Sequence, residues 1–198
     1  SSDLGRYMQE AVPAGVGAMA AILGLGLDGV QAACERAAQG QVVSPANLNS
    51  SSQVVIAGHK EAVERASAYA KEAGAKRAVM LPVSAPFHCS LLEPAEQRLG
   101  PELDACTLAD PQFPVVCNVD AQPVTTGAAA RDALKRQVSR PVRWVEIVQW
   151  MLAQGVDTFV ELGPGSVLSG LVRNADKSVR TLNVEDEKSL ENVFSGLL

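Results

Sequence analysis

The chain has few of the residues on which metal, disulfide and membrane chemistry depend. It contains two histidines and four cysteines. No cysteines stand in a CxxC spacing, so the sequence indicates neither a zinc site nor a disulfide framework. No apolar run approaches the roughly 20 residues that span a bilayer, and the first ten residues lack the pattern of a secretory signal. These absences predict a cytoplasmic protein with free thiols and no bound metal.

The charge pattern argues against a nucleic-acid partner. Lys and Arg are spread along the chain, and the net charge is -5. A nucleic-acid-binding protein needs clustered positive charge, so no nucleic-acid partner is expected. At 198 residues and 47% hydrophobic composition, the chain is long enough for one large domain or two small ones.

The first half of the chain alternates strand and helix patterns in a specific order. Between residues 15 and 83 the order is β-α-β-β-α-β, the split pattern of a ferredoxin-like unit with an antiparallel sheet covered by two helices. The predicted strands cover 17–25, 41–49, 52–58 and 76–83, and the predicted helices cover 27–40 and 59–75.

The second half has a different pattern, in which strands alternate with helices and parallel α/β packing is expected. Only three strands are predicted, which are few for an independent sheet. The strand at 157–165 has the apolar pattern of a buried strand. The predicted strands cover 113–119, 157–165 and 179–184, and the predicted helices cover 89–105, 127–138, 143–155, 166–175 and 187–198.

Six strings, taken in order, resemble one known family. They are "MQEAVPAGVGAMAAILGL", "GQVVSPANLNSSSQVVIAGHKEAVERA", "LPVSAPFHCSLL", "PVVCNVDAQPV", "RQVSRPVRWVEIVQWM" and "ELGPGSVLSGL". The family is that of the malonyl-CoA:acyl carrier protein transacylases of bacterial type II fatty acid synthesis. The resemblance implies an α/β-hydrolase-like core, incomplete here and formed by 1–14 and 84–198, with a ferredoxin-like subdomain at 15–83 inserted into it.

The resemblance also implies a reaction. Members of this family transfer a malonyl group from coenzyme A to the phosphopantetheine thiol of acyl carrier protein through a serine ester, with no cofactor. A serine hydroxyl is a weak nucleophile near neutral pH and needs an imidazole base. His88 matches the family's base, and the backbone carbonyl of Gln137 matches the group that orients it.

Three further residues match positions around the family's acyl site. Asn49 matches a residue that lines the malonyl site, and Met8 matches one beside the pocket. Phe87 resembles the bulky residue of malonyl-selective members, in which a ring beside the α-carbon opposes a branched acyl group. The resemblance therefore favours malonyl as the acyl group.

Two features depart from the family. No GxSxG turn, the family's nucleophile elbow, occurs in the 198 residues. Leu4 stands where the family places an arginine that pairs with the malonyl carboxylate, and Arg6, two residues later, is not a substitute. The sequence thus matches the C-terminal two thirds of a transacylase, and we expect the 198 residues alone to be inactive.

The resemblance implies two partners, acyl carrier protein and a coenzyme A thioester. The protein is expected to be a monomer with no membrane contact. Because these carrier proteins are acidic, basic residues near the site are candidates for docking. The candidates are Arg140, Arg143, Arg173 and Lys177.

Other interpretations remain open. In one alternative, the chain is a non-catalytic fragment or a module that binds carrier protein or pantetheine. In another, it is a ferredoxin-like regulatory domain fused to a partial α/β domain. Cys89 lies beside His88 and suggests a Cys-His nucleophile, but adjacent side chains diverge. His59 is expected to be a solvent-facing or capping residue at a helix start.

Overall fold

The computed structural model describes residues 2–197, and its chain divides into two compact units, one ending at Ile147 and the other beginning at Val148. The helices are α1 (Ser2–Ala11), α2 (Leu27–Ala38), α3 (Lys60–Glu72), α4 (Glu93–Ala105), α5 (Gly127–Arg136), α6 (Trp144–Ala153), α7 (Val167–Ala175) and α8 (Glu187–Leu197). The strands are β1 (Gly17–Leu23), β2 (Val43–Ser50), β3 (Gln53–His59), β4 (Arg77–Met80), β5 (Val115–Val116), β6 (Pro123–Val124), β7 (Thr158–Leu162) and β8 (Arg180–Val184).

The first unit contains a four-stranded antiparallel sheet in the order β2-β3-β1-β4. Strand β1 is central, and its residue Ala20 lies opposite Ile56 of β3 on one side and Met80 of β4 on the other. The observed element order from β1 to β4 is the β-α-β-β-α-β order that the sequence predicts.

Both faces of this sheet carry buried residues, and successive residues of a strand point to opposite faces. Ala20 and Ile22 belong to the core shared with α2 and α3, whose small buried residues allow close packing. Met19 of β1 and Val55 of β3 belong to a second cluster, on the opposite face of the sheet. This second cluster contains Cys89, so the segment after β4 folds back onto the sheet.

Helices α1 and α4 and the segment that follows α5 form another core in the first unit. The sequence pattern did not predict α1, which buries Tyr7 and contributes Val12 directly after its end. Leu92, fully buried, and Ala95 meet these residues from the start of α4, and Val138 joins them from beyond α5.

The strand predicted at 113–119 is wrong in length and direction. Only Val115–Val116 is a strand, and it pairs antiparallel with Pro123–Val124, which the sequence pattern did not predict. The chain turns back between them: the Ala121 amide donates to the Cys117 carbonyl at 3.0 Å, and Ala121 has φ 53°. A turn of this kind ends the strand after two residues.

The second unit contains the parallel pair β7 and β8, with Val160 opposite Leu182, and helices α7 and α8. Glu161 holds the start of α7, accepting from the backbone amides of Leu168 and Ser169 at 3.1 and 2.8 Å. The predicted burial of β7 is wrong, since Leu162 is 77% exposed. A two-stranded sheet leaves each strand without a neighbour on one side, so an apolar strand stays partly uncovered.

Candidate functional site

The segment that carries His88 is anchored on both sides of the histidine. Phe87 and Cys89 pack against the cluster that includes Met19 and Val55 of the sheet. The Cys89 thiol donates to the Pro86 carbonyl at 3.2 Å. The loop is therefore held at both residues next to the imidazole.

The backbone of His88 is left-handed, with φ 60°. Non-glycine residues adopt this region rarely, and the conformation costs on the order of 1–3 kcal/mol. Such strain persists only where packing on both sides imposes it, as the buried neighbours Pro86 and Cys89 do here.

The ring of His88 is oriented by a backbone carbonyl. Its Nδ1 lies 3.0 Å from the carbonyl oxygen of Gln137. A carbonyl only accepts hydrogen bonds, so the neutral ring must carry its proton on Nδ1. The lone pair is then on Nε2, the arrangement that a general base requires.

The accepting carbonyl lies at the end of α5, where the sequence gives clear boundary signals. The Thr126 hydroxyl caps the start by accepting from the Ala129 amide at 3.2 Å, and Lys135 and Arg136 in the last turn favour the negative end of the helix dipole. Gln137 is the first residue beyond the helix, where carbonyls lack partners within the helix. Its oxygen is thus available to His88.

Burial lowers the pKa of His88 below its ordinary value, and this effect is larger than the opposing effect of the backbone groups of Gln137 and Arg140. Removing the imidazolium from water disfavours the charged form. The ring therefore stays neutral, and able to accept a proton, at a lower pH than a free imidazole.

A cavity of about 400 Å³ lies beside the histidine. Its walls are mainly aliphatic and aromatic, and His88, Gln137 and Asn118 are the polar members of the set. The lining residues are Leu4, Met8, Phe87, His88, Leu99, Leu103, Asn118, Leu134, Gln137 and Val138.

Four of the five residues predicted for the site line this one cavity, namely Met8, Phe87, His88 and Gln137. Asn49 does not. It lies half-buried on β2, next to Leu48, whose amide donates to the Val142 carbonyl at 2.8 Å. The strand of Asn49 is thereby tied to the segment that follows Gln137.

Asn118 is a polar cavity residue that the sequence analysis missed. Its backbone carbonyl accepts from the Arg143 amide at 3.0 Å, which fixes the turn that carries it. The assignment of 113–119 to a strand hid this residue. An amide side chain within the apolar run "PVVCNV" was the available signal.

Neither His59 nor Cys89 has the environment of a catalytic group. His59 precedes α3, and its Nδ1 accepts from the Val42 amide at 2.9 Å, so its neutral ring carries the proton on Nε2. Burial raises the pKa of the Cys89 thiol to about 11, which keeps it protonated near neutral pH.

Two kinds of feature are absent from the part of the chain that the structure describes. Within residues 2–197, no group of three or more His, Cys, Asp or Glu side chains is arranged to hold a metal ion. Over the same range, no helix combines the length and the apolar character that crossing a membrane demands.

The site thus combines an imidazole with its proton on Nδ1, a backbone carbonyl that orients this ring, and a largely apolar cavity. Comparison with known proteins gives a family. The profile of the family described as "Acyl transferase domain" matches residues 4–193. The chain belongs to this family.

Within the family, the chain is similar to malonyl transferases. It is 59% identical over 169 residues to the malonyl CoA-acyl carrier protein transacylase of Escherichia coli (strain K12), which covers 85% of this chain and 55% of the relative. A crystal structure of an acyl carrier protein S-malonyltransferase from Vibrio cholerae has a TM-score of 0.93 at 51% identity, covering 96% of this chain and 62% of that one.

A third similar protein is a malonyl-transacylase solved in complex with a type II PKS acyl-carrier protein. Its TM-score is 0.95 at 48% identity, covering 98% of this chain and 62% of that one. This chain therefore spans little more than half the length of the proteins it resembles.

Proposed function

We propose that this chain is the base-supplying part of a malonyl-CoA:acyl carrier protein transacylase. The observation that carries the proposal is the 3.0 Å contact between His88 Nδ1 and the Gln137 carbonyl, because it places the lone pair on Nε2 in a ring that lines an apolar cavity. The attacking serine lies in a part of the enzyme that these 198 residues do not include, since they contain no GxSxG turn. The chain without that part is then a non-catalytic module.

The reaction proceeds by two exchanges at one serine. His88 Nε2 takes the serine proton as the oxygen attacks the thioester carbonyl of malonyl-CoA; the carbon–sulfur bond breaks, and the imidazolium returns the proton to the departing thiolate. The phosphopantetheine thiol of acyl carrier protein then loses its proton to His88 and attacks the ester. The C–O bond breaks, and the serine recovers the proton.

For the architecture, we propose an α/β-hydrolase-like core formed by 1–14 and 84–198, into which a ferredoxin-like subdomain at 15–83 is inserted. The strand order β2-β3-β1-β4, antiparallel throughout, supports the ferredoxin-like assignment. The parallel pair β7 and β8 is consistent with part of a larger parallel sheet.

Acyl carrier protein is the proposed protein partner. The malonyl-transacylase that was solved with a carrier protein supports this choice. Arg140 is exposed and follows Gln137 by three residues, so it brings positive charge to the neighbourhood of His88. Arg143 is less suited to docking, because its guanidinium already binds Glu146 with Nε at 2.7 Å.

The direct test uses labelled malonyl-CoA on two proteins. The 198-residue chain alone is expected to acquire no covalent label. A chimera that joins it to the uncovered part of the Escherichia coli relative, where the resemblance places the GHSxG turn, is expected to form a malonyl ester and pass it to carrier protein.

His88→Ala in this chimera should lower the rate of ester formation by roughly 10²–10⁴-fold, the usual contribution of a general base. His59→Ala is the matched control, since it removes the other histidine and should leave the rate unchanged. Normal ester formation by the His88→Ala chimera would refute the assignment of the base.

A further inference from the structure

We propose that the ion pair between Arg136 and Asp120 positions the His88 ring by holding the Gln137 carbonyl in place. The proposal takes the role of His88 as a base from the proposed function. Neither residue of the pair lines the cavity, so both act through Gln137.

The Gln137 carbonyl lies at a helix end, where backbone oxygens have no partner within the helix. Gln137 follows the last residue of α5, and helix ends fray unless something ties them down. Within the helix, its amide donates to the Ala133 carbonyl at 3.0 Å, but no bond inside α5 constrains its own oxygen. The direction of this carbonyl therefore depends on what holds the helix end.

Arg136, the adjacent residue, supplies that restraint. Its Nη1 and Nη2 donate to the two carboxylate oxygens of Asp120 at 2.7 and 2.6 Å, a paired geometry that fixes orientation as well as distance. Its Nε donates to Asp132, four residues earlier in α5, at 2.7 Å. One guanidinium thus joins the last turn of α5 to the turn between β5 and β6.

The turn that carries Asp120 is itself closed, so it is a fixed anchor. The Cys117 amide donates to the Gln122 carbonyl at 3.1 Å, which closes the turn at its base. Arg143 Nη1 donates to the Asp120 carbonyl at 3.2 Å. The same turn contains the cavity residue Asn118, so a single anchor sets both a cavity wall and the carbonyl that orients His88.

The electrostatics of the pair agree with this role. Hydrogen bonds from Arg136 hold the pKa of Asp120 below its ordinary value, so the carboxylate stays charged across the working pH range. The side chains of Arg136 and Asp120 are 34% and 41% exposed, and pairs this exposed add little to stability. The pair therefore contributes orientation more than stability. Its removal is expected to loosen the His88 ring while the free energy of unfolding barely changes.

A matched control lies on the same helix. Lys135 Nζ binds Asp104 at 2.6 Å and connects the last turn of α5 to α4 instead of to the turn that holds Asp120. Removing this pair loosens α5 at the same level of the helix but leaves the tie at Arg136 intact.

The experiment measures the ring protons of the 198-residue chain by ¹⁵N-resolved NMR, in which the two histidines give separable signals because they carry opposite tautomers. In Asp120→Asn and in Arg136→Lys, which loses the paired geometry, exchange of the His88 Nδ1 proton should rise by about fivefold or more, the factor that corresponds to a typical net hydrogen bond. Asp104→Asn should change it by less than about twofold.

The His59 signal and the thermal unfolding midpoint report whether each variant is folded. Unchanged His88 exchange in folded Asp120→Asn and Arg136→Lys would overturn the proposal, as would an equal rise in Asp104→Asn. None of these readouts requires acyl transfer, so failure of the proposed function and failure of this proposal are separate results.

Discussion

The imidazole of His88 and the carbonyl of Gln137 are 49 positions apart in the chain and 3.0 Å apart in space. This contact joins a strained loop after β4 to the end of α5, and it selects the tautomer that has its lone pair on Nε2. The His88 ring is therefore oriented by a neutral carbonyl, with no carboxylate in this contact. A neutral carbonyl stabilises the imidazolium less than a carboxylate would, so a protonated His88 gives up its proton more readily than a histidine paired with a carboxylate.

The lowered pKa of His88 predicts how stability depends on pH. The unfolded chain takes up a proton near pH 6.5, whereas the folded ring does so only at lower pH. Between the two pKa values the unfolded state binds more protons, so the free energy of unfolding falls as pH falls through this window and levels off below the folded pKa.

Urea unfolding at pH 8, 6 and 5 should show this fall in the wild type and a smaller one in His88→Gln. Gln137→Ala, which keeps the carbonyl, should behave like the wild type. An NMR titration that gave a His88 pKa above 6.5 would contradict the burial effect.

Local sequence signals account for most of the first unit. The order of β1 to β4 and of the two helices between them follows from apolar runs and from Ala-rich helical spacing. The strand predicted at 76–83 is shorter than expected, because β4 ends at Met80. The two-residue strands β5 and β6 are too short to show one, and their pairing depends on a turn with a positive φ at Ala121.

The cavity is harder to predict than the pair of His88 and Gln137. His88 and Gln137 were found by resemblance, but the aliphatic walls come from side chains whose local patterns are ordinary helix patterns, such as Leu99 and Leu103 of α4 and Leu134 of α5. Only packing of α1, α4 and α5 brings these residues together with Met8. Periodicity assigns a residue to a helix face and does not assign that face to a cavity.

Phe87→Ala should relax the selection against branched acyl groups. Phe87 lines the cavity directly before His88, so removal of the ring enlarges the cavity next to His88, where the proposed reaction would place the acyl group. In the chimera, kcat/KM for methylmalonyl-CoA relative to malonyl-CoA should rise by roughly 10–200-fold, the range for one methyl group. Leu134→Ala, which enlarges the same cavity from α5, is the control and should change the ratio little; an equal effect there would assign selectivity to volume alone.

Leu4→Arg should strengthen binding of malonyl-CoA. Leu4 lines the cavity, and a malonyl carboxylate placed in an apolar wall lacks a partner. A guanidinium at this position forms paired hydrogen bonds, and KM of the chimera for malonyl-CoA should fall by roughly tenfold while KM for acetyl-CoA stays constant.

Arg6→Ala is the control for this effect, since Arg6 is exposed and pairs with Asp3 at 3.0 Å. Equal changes for malonyl-CoA and acetyl-CoA in the Leu4→Arg chimera would place position 4 away from the carboxylate.

Gly58→Ala should destabilise the sheet of the first unit. An added Cβ at Gly58 would lie 2.1 Å from the Val42 carbonyl oxygen, and this backbone atom cannot move without disturbing β2. We expect a loss of about 1–3 kcal/mol in the free energy of unfolding. Gly5→Ala has nothing within 4 Å and lies exposed within α1, so it should add about 0.5–1 kcal/mol. Similar unfolding midpoints for the two variants would mean that β2 and β3 approach less closely.

Thiol reactivity should separate the cysteines by burial. Burial raises the pKa of Cys34 to about 12 and that of Cys89 to about 11, whereas Cys106 is exposed. Because the thiolate is the reactive form, iodoacetamide at pH 8 should modify Cys106 at least roughly 100-fold faster than either buried thiol, as read by peptide mass spectrometry. In urea the difference should vanish, which controls for local sequence. Modification of Cys89 at the rate of Cys106 would restore Cys89 as a candidate nucleophile beside His88, and malonyl label on that thiol would then be the result to look for.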